Sequence, residues 1–335
     1  MADFKLAHLS DLHITNVQIQ ALKHVLSKRA LGTLSWNMRR RTKYRPEILS
    51  SLIGDLHQQN PDHVVVTGDL TNVALEDEFS SSLSWLEKLG GPELVSLVPG
   101  NHDVYVPESK DSAWNYWGEY MRSHQVPNNL QASFGFYPGK EFPTVRICGA
   151  TAIVGVSTAT ATHPLSASGT IGELQLSRLE QILDSLTGSG LCRVVLLHHP
   201  PQPLPIARRR RLTDAAAFRT LIAKVGAELI LHGHAHKPLT NHIDGPRQSV
   251  PVCGVRPSSA AGQGRHRAAQ YHIYKISRNG SVAGSLTKHA GFEISVISRS
   301  YNKINKRFEW NDEQSLQNVS LDQKTNKKVE ADQKG

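Results

Sequence analysis

The sequence predicts an α/β domain with layered sheets, on three observations. Short apolar runs recur along the chain, and several are β-branched in the manner of strands buried on both faces. Amphipathic helical stripes lie between several of these runs, and no internal repeat is visible. Taken in order, the first strand is residues 4–9, directly after Met1-Ala2-Asp3. Ile48, Leu49, Leu52, Ile53 and Leu56 then form a helical stripe that Asn60-Pro61 breaks before a strand at 63–67. Strands follow at 94–98, 145–148 and 153–156. A second stripe, Leu176, Leu179, Ile182, Leu183 and Leu186, stops at Gly188-Ser189-Gly190 and leads into a strand at 193–197. The third, Ala217, Leu221, Ile222 and Val225, stops at Gly226 before a strand at 229–231. Residues 271–276 and 293–298 read as strands that complete a sheet, the first preceded by Arg265-His266-Arg267 in a Gly-rich loop.

Composition bounds the function. The 335 residues are 39% hydrophobic, which excludes general disorder, a collagen-like repeat and a disulfide scaffold. Cys148, Cys192 and Cys253 are widely spaced, with no Cys-x-x-Cys pair, so they read as core thiols. No apolar run approaches the roughly 18 residues of a membrane span, and no signal peptide is visible, so the expected location is cytoplasmic. Two regions break the rhythm. Residues 16–46 carry eight cations and no acid; Asp and Glu are absent between Asp11 and Glu47. Residues 311–335 are rich in Asn, Gln, Lys, Asp and Glu and read as a disordered polar tail. The expected organisation is one domain over 1–310 with a basic amphipathic insert at 16–46, followed by that tail.

The 17 histidines cluster at strand ends. Five strands run into Ser10-Asp11-Leu12-His13, Thr67-Gly68-Asp69-Leu70, Pro99-Gly100-Asn101-His102-Asp103, His198-His199-Pro200-Pro201 and His232-Gly233-His234-Ala235-His236. Singly, each is ordinary capping or turn chemistry. Together they place Asp, Asn and His beyond the carboxyl ends of successive strands, where ligands of open α/β sheets bind. Oxygen and imidazole donors without thiolate suit Mn, Fe, Zn, Co or Ni and are a poor home for calcium. Two Asp, one Asn and four His are more than one tetrahedral ion needs and fit two ions sharing a carboxylate, the arrangement that clamps an in-line displacement at phosphorus.

The order Asp-x-His, Gly-Asp, Gly-Asn-His-Asp, His-x-Pro, Gly-His-x-His resembles the calcineurin-like metallophosphoesterase superfamily over residues 11–236, with all five blocks intact. The resemblance implies a four-layer α/β sandwich of two mixed β-sheets flanked by helices. It implies two divalent or trivalent metal ions (Mn, Fe, Zn or Co) and hydrolysis of a P–O bond by metal-bound hydroxide. Carried over by position, Asp11, His13, Asp69 and His236 hold the first ion. Asp69 bridges to the second, which Asn101, His198 and His234 complete, and His102 faces the phosphate as its catalytic stabiliser and acid. His199 is placed behind the ligands; Arg209 and Arg210, in the run 208–211, are placed beside it or against substrate.

The Gly100-Asn101-His102-Asp103 block, ending in Asp, resembles the bacterial phosphodiesterase branch. The stretch 27–36 more weakly resembles the insert of phospholipase-C-like and lipid-cleaving members. Trp36 with Arg39, Arg40 and Arg41, next to the apolar face of Leu22, Val25 and Leu26, has the composition of a membrane-docking segment. The leading expectation is therefore a phosphodiesterase acting on a phospholipid or lipid-linked diester, peripheral at the inner face of an anionic membrane. A cyclic-nucleotide phosphodiesterase is the alternative. A nuclease lacks an aromatic-interleaved platform, nucleic acid and an obligate protein partner are not expected, and intact ligands disfavour a metal-free binding scaffold.

Overall fold

Parallel pairing of neighbouring strands requires crossovers, and the first half of the chain supplies them as helices. The computed structural model describes residues 3–14, 44–134, 141–262, 268–278 and 291–316. β1 (Phe4–Leu9) pairs in parallel with β2 (His63–Val66), and β2 with β3 (Val95–Leu97). α1 (Pro46–Gln59) begins with Pro46 and Glu47 in its first turn and ends at Asn60, whose φ of 47° is left-handed, just before Pro61. Its buried face is Ile48, Leu49, Leu52 and Leu56. α2 (Glu76–Leu89) and α3 (Ser109–Met121) cover the same side of the sheet.

The antiparallel strands β10 (Gln270–Arg278), β11 (Phe292–Asn302) and β12 (Arg307–Ser315) complete the first sheet in the order β12-β11-β10-β1-β2-β3. The second sheet is built from β4 (Thr144–Cys148), β5 (Thr151–Gly155), β6 (Cys192–Leu196), β7 (Leu229–His232), β8 (Leu239–Ile243) and β9 (Val250–Gly254), in the order β4-β5-β6-β7-β9-β8. α4 (Asn128–Ser133), α5 (Glu173–Ser185) and α6 (Ala215–Val225) follow the chain through this half, and α5 and α6 pack on the sheet's outer face. Leu6, Val65 and Val98 of one sheet meet Ile153, Val194, Leu196, Leu229 and Leu231 of the other in a central apolar layer. The result is helix, sheet, sheet, helix, the expected four-layer sandwich. Alternation explains the layers: Leu6 faces the inter-sheet core, whereas Ala7 and Leu9 face the helices.

Among the described residues, three strands and three helices lie outside the sequence expectation. β12 corrects the tail boundary, because residues 311–315 are strand. It is an edge strand that buries Phe308 and exposes Trp310, so its polar sequence is that of a sheet margin rather than of a tail. β8 is also an edge, and α2 carries Ser80, Ser81, Ser82 and Ser84, which dilute its stripe of Phe79, Leu86 and Leu89. Trp36, Arg39, Arg40 and Arg41, Arg265-His266-Arg267 and residues 317–335 lie outside the described residues.

Histidines are also structural here. Burial, with Arg146 nearby, holds His63 down to about 3; burial holds His232 and His272 down to about 4. A folded-state value below the unfolded ~6.5 means that the unfolded chain takes up the proton first as the pH falls. Stability from these rings is therefore complete above pH ~6.5 and is lost progressively toward pH ~4. The thermal midpoint of metal-free protein is expected to drop over that window, with a shallower slope in a His63→Asn/His272→Asn variant. Equal slopes would contradict this assignment.

Candidate metal centre

The carboxyl ends of β1, β2 and β3 lie side by side in one sheet and those of β6 and β7 in the other, so the five polar loops meet at one end of the sandwich. Backbone hydrogen bonds lace them together. The Asp11 N–H donates to Gly68 O at 2.9 Å, the His13 N–H to Asp69 O at 3.0 Å, and the Gly233 N–H to His198 O at 3.1 Å. The His234 N–H donates to Asp11 Oδ2 at 3.1 Å, tying the second sheet to the first. The glycines make this approach possible: a Cβ on Gly100 would lie 2.2 Å from Asp69 Oδ1, and one on Gly233 would lie 1.9 Å from Ser10 Oγ. Five residues here are left-handed without being glycine: Asp11 (φ 52°), His13 (43°), Asp69 (57°), His234 (61°) and His236 (55°). Each costs about 1–2 kcal/mol, a strain that surrounding hydrogen bonds must hold.

Two groups of candidate donors result. Asp11, His13, Asp69 and His236 offer ligand atoms within 4.8 Å of one another, as do Asp69, His198 and His234, so Asp69 belongs to both. Asn101 Oδ1 lies 3.2 Å from His198 Nε2, which brings it to the second group. Three rings are fixed by backbone carbonyls. Nδ1 of His13 donates to Thr71 O (3.0 Å), Nδ1 of His198 to Thr67 O (2.6 Å), and Nε2 of His234 to Arg210 O (2.9 Å). Each bond fixes a tautomer and leaves the other nitrogen as an electron-pair donor facing the centre. Asp11 Oδ2 accepts from Ser10 Oγ (2.7 Å), whereas buried Asp11 Oδ1 has no hydrogen-bond partner and faces His236 Nε2 at 3.0 Å. Asp69 Oδ1 accepts the His102 N–H (2.8 Å), while Oδ2 faces His198 Nε2 at 3.3 Å and His13 Nε2 at 4.0 Å. Nitrogen lone pairs aimed at carboxylate oxygens need a cation between them, so the donor set fits two ions.

The other predicted residues separate. His102 hydrogen-bonds Asn72 O through Nδ1, stacks on Tyr105 (5.8 Å between centroids) and meets the edge of His13 (5.1 Å). His199 uses both nitrogens, Nδ1 with Thr158 Oγ1 (2.7 Å) and Nε2 with Ala167 O (3.1 Å), and packs against His234 at 4.4 Å. Arg210 holds His234 through its carbonyl, and its guanidinium donates to His234 O (3.3 Å). The Arg209 carbonyl accepts the Ala167 N–H at 2.8 Å.

A family model described as calcineurin-like phosphoesterase matches residues 4–238, which is most of the chain and contains every donor above. The chain belongs to the calcineurin-like phosphoesterase family. Its described Asp and His residues form two groups that can each hold a metal ion. A probable cyclic nucleotide phosphodiesterase from Synechococcus sp. is 26% identical over 191 residues, which is 56% of this chain and 63% of that protein, so the match spans less than two-thirds of that relative. A dimetal phosphatase from Danio rerio superposes with a TM-score of 0.55 at 12% identity, covering 90% of this chain and 97% of its own. The purple acid phosphatase of yellow lupin seeds does so with a TM-score of 0.57 at 11% identity, covering 95% of this chain and 54% of its own. These two likenesses are of fold.

Electrostatics suit this calcineurin-like centre. Burial would raise Asp11, but the His236 and His198 rings beside it override burial and hold the carboxyl down to about 2. Burial likewise opposes ionisation of Asp69, and His198, His102 and His13 pull it well below the usual carboxylate range. Burial and the neighbouring His198 push His199 down to about 3, so it stays a neutral hydrogen-bonding ring. Sequence reasoning missed the residues that brace the loops. Asp103 accepts the N–H groups of Asp69 (2.8 Å), Gly100, Leu70 and Thr71 (2.9 Å each) and the Thr71 hydroxyl (3.1 Å). Burial and the Asp69 charge push Asp103 up to about 7, and the backbone donors pull the other way. Glu78 accepts the N–H groups of Asn72, Val73 and Leu75, which fixes the Asn72 carbonyl that His102 uses. The signal for Asp103 was present, as the last letter of its motif, but nothing local distinguishes a brace from a ligand. Asp103→Ala strands four buried N–H groups and is expected to destabilise the fold by about 3 kcal/mol or more. Denaturant unfolding of the metal-free variant checks it.

Proposed function

We propose that this chain is a binuclear phosphodiesterase in which Asp11, His13, Asp69 and His236 hold one ion and Asp69, Asn101, His198 and His234 the other. The observation that carries the reading is the membership of Asp69 in both donor groups. Bound metal supplies Lewis-acid activation of water and neutralises charge at phosphorus. The chain's own residues do the rest. His13, His198 and His234 present fixed lone pairs, and Asp11 and Asp69 supply two buried negative charges. His102, held in place through Nδ1 by Asn72 O, stabilises the phosphoryl group and protonates the leaving oxygen in this reading.

The substrate in this reading is a phospholipid or lipid-linked diester at a membrane face. The eight cations of residues 16–46, free of any acid and accompanied by Trp36, support it. No helix among the described residues is long and apolar enough to cross a membrane, so such contact is peripheral in this reading. The second reading, a cyclic nucleotide, is supported by the description of the Synechococcus relative. A phosphorus NMR time course with manganese-loaded protein, mixed phospholipid vesicles and cyclic nucleotides in one tube tests both. A headgroup phosphomonoester is the expected product. A nucleoside monophosphate from otherwise intact vesicles selects the second reading, and no turnover of either refutes the first.

A further inference from the structure

Beside the centre stands a rim that the chemistry above does not use. Residues 157–169 form a loop whose apex, Leu165, is 80% exposed and left-handed at φ 70°. A γ-branched apolar side chain held out in water on a strained backbone is doubly unfavourable in isolation. The loop is fastened to the arginine run by Ala167 N–H to Arg209 O (2.8 Å) and Gly169 N–H to Arg211 O (3.1 Å). Ser166 Oγ also donates to Arg209 O (3.3 Å).

Arg208, Arg209, Arg210 and Arg211 are all exposed, on and just after the single 3₁₀ turn Arg208–Arg210. Arg210 donates to His234 O and Arg211 to Ile206 O. The guanidinium groups of Arg208 and Arg209 make no hydrogen bond or ion pair with any described residue. Neither 156–172 nor 198–213 contains an Asp or Glu, so the charge is not neutralised within the two loops. Pro203 and Pro205 are exposed alongside, and Ile206 is half-buried.

We propose that this rim is a docking surface for an anionic lipid bilayer, with Leu165 entering the headgroup boundary and the arginines pairing with lipid phosphates. The role assigned to docking rests on the lipid-diester reading, because His234 and His199 are held by the same two loops and the centre would be carried to the bilayer with them. An exposed leucine at the apex distinguishes this surface from one for nucleic acid, which cations and stacking aromatics serve. Membrane contact is thereby placed on residues flanking the second donor group, independent of the basic segment at 16–46.

The test uses the full chain loaded with manganese and sedimented with vesicles of equal phosphatidylglycerol and phosphatidylcholine, at low and high salt. Wild type is expected to bind at low salt and to be released at high salt. Arg208→Gln is expected to weaken partitioning about fivefold and Leu165→Ser about tenfold. Both variants should hydrolyse a soluble bis-aryl phosphate at the wild-type rate. Vesicle binding unchanged in both variants overturns the proposal and moves any contact to another surface. Loss of binding to a DNA duplex instead, without vesicle binding by wild type, overturns it in favour of a nucleic-acid surface. Sensitive vesicle binding with no lipid cleaved leaves the docking surface standing and refutes the lipid-substrate reading. Cleavage of detergent-dispersed lipid without vesicle binding does the reverse.

Discussion

Asp69→Asn will abolish hydrolysis, with an expected loss of at least about 10³-fold in turnover and of both bound ions rather than one. Asp69 is buried, and its two oxygens have different duties. Oδ1 accepts the His102 N–H, and Oδ2 faces His198 at 3.3 Å and His13 at 4.0 Å. Asparagine keeps the shape and one acceptor but removes the charge that both donor groups share. The neighbouring imidazoles then face each other without the anion that pulls cations between them. Elemental analysis after dialysis, together with turnover of a soluble diester, reads the outcome. Retention of one full ion, or of activity within tenfold of wild type, would show that the carboxylate is not shared.

His102→Ala should behave differently, retaining both ions while slowing turnover by roughly 10²–10⁴. Its ring is anchored through Nδ1 to Asn72 O and supported by Tyr105 at 5.8 Å, which pre-orients it as an acid. An acid matters most when the leaving oxygen is basic. The loss should therefore be large for an alkyl leaving group and small for a nitrophenolate, which departs unprotonated. A merely structural role would slow both equally. Loss of metal in this variant would place His102 among the ligands instead.

Much of this was legible in the chain because the informative signals are local. A strand of apolar residues ending in Asp-x-His or Gly-His-x-His states its own polarity, and α1 declares both its stripe and its stop at Asn60-Pro61. What stayed hidden lacked a local signature. α2 is diluted by serines, β12 buries Phe308 in an otherwise polar stretch, and β8 lies on a sheet edge. Asp103 looks like one more donor in Gly-Asn-His-Asp, yet it is spent on four backbone N–H groups and a hydroxyl. The loop that carries Leu165 meets Arg209 through the Ala167 N–H on Arg209 O, between loops more than forty residues apart, and periodicity carries no information about it.

The sequence by itself determined the α/β class, the family, and the candidate oxygen and imidazole donors to propose, since each depends on residue type and short spacing. The tertiary structure alone decided which donors share a group. It did so through contacts such as the His234 N–H on Asp11, 223 residues apart, and through five left-handed residues that no L-amino acid favours in isolation. It also decided which nitrogen of His13, His198 and His234 faces the centre, because that follows from the backbone carbonyl the other nitrogen meets. Packing of the two sheets joins residues far apart in the chain, so the geometry of the centre exists only once both sheets have packed face to face.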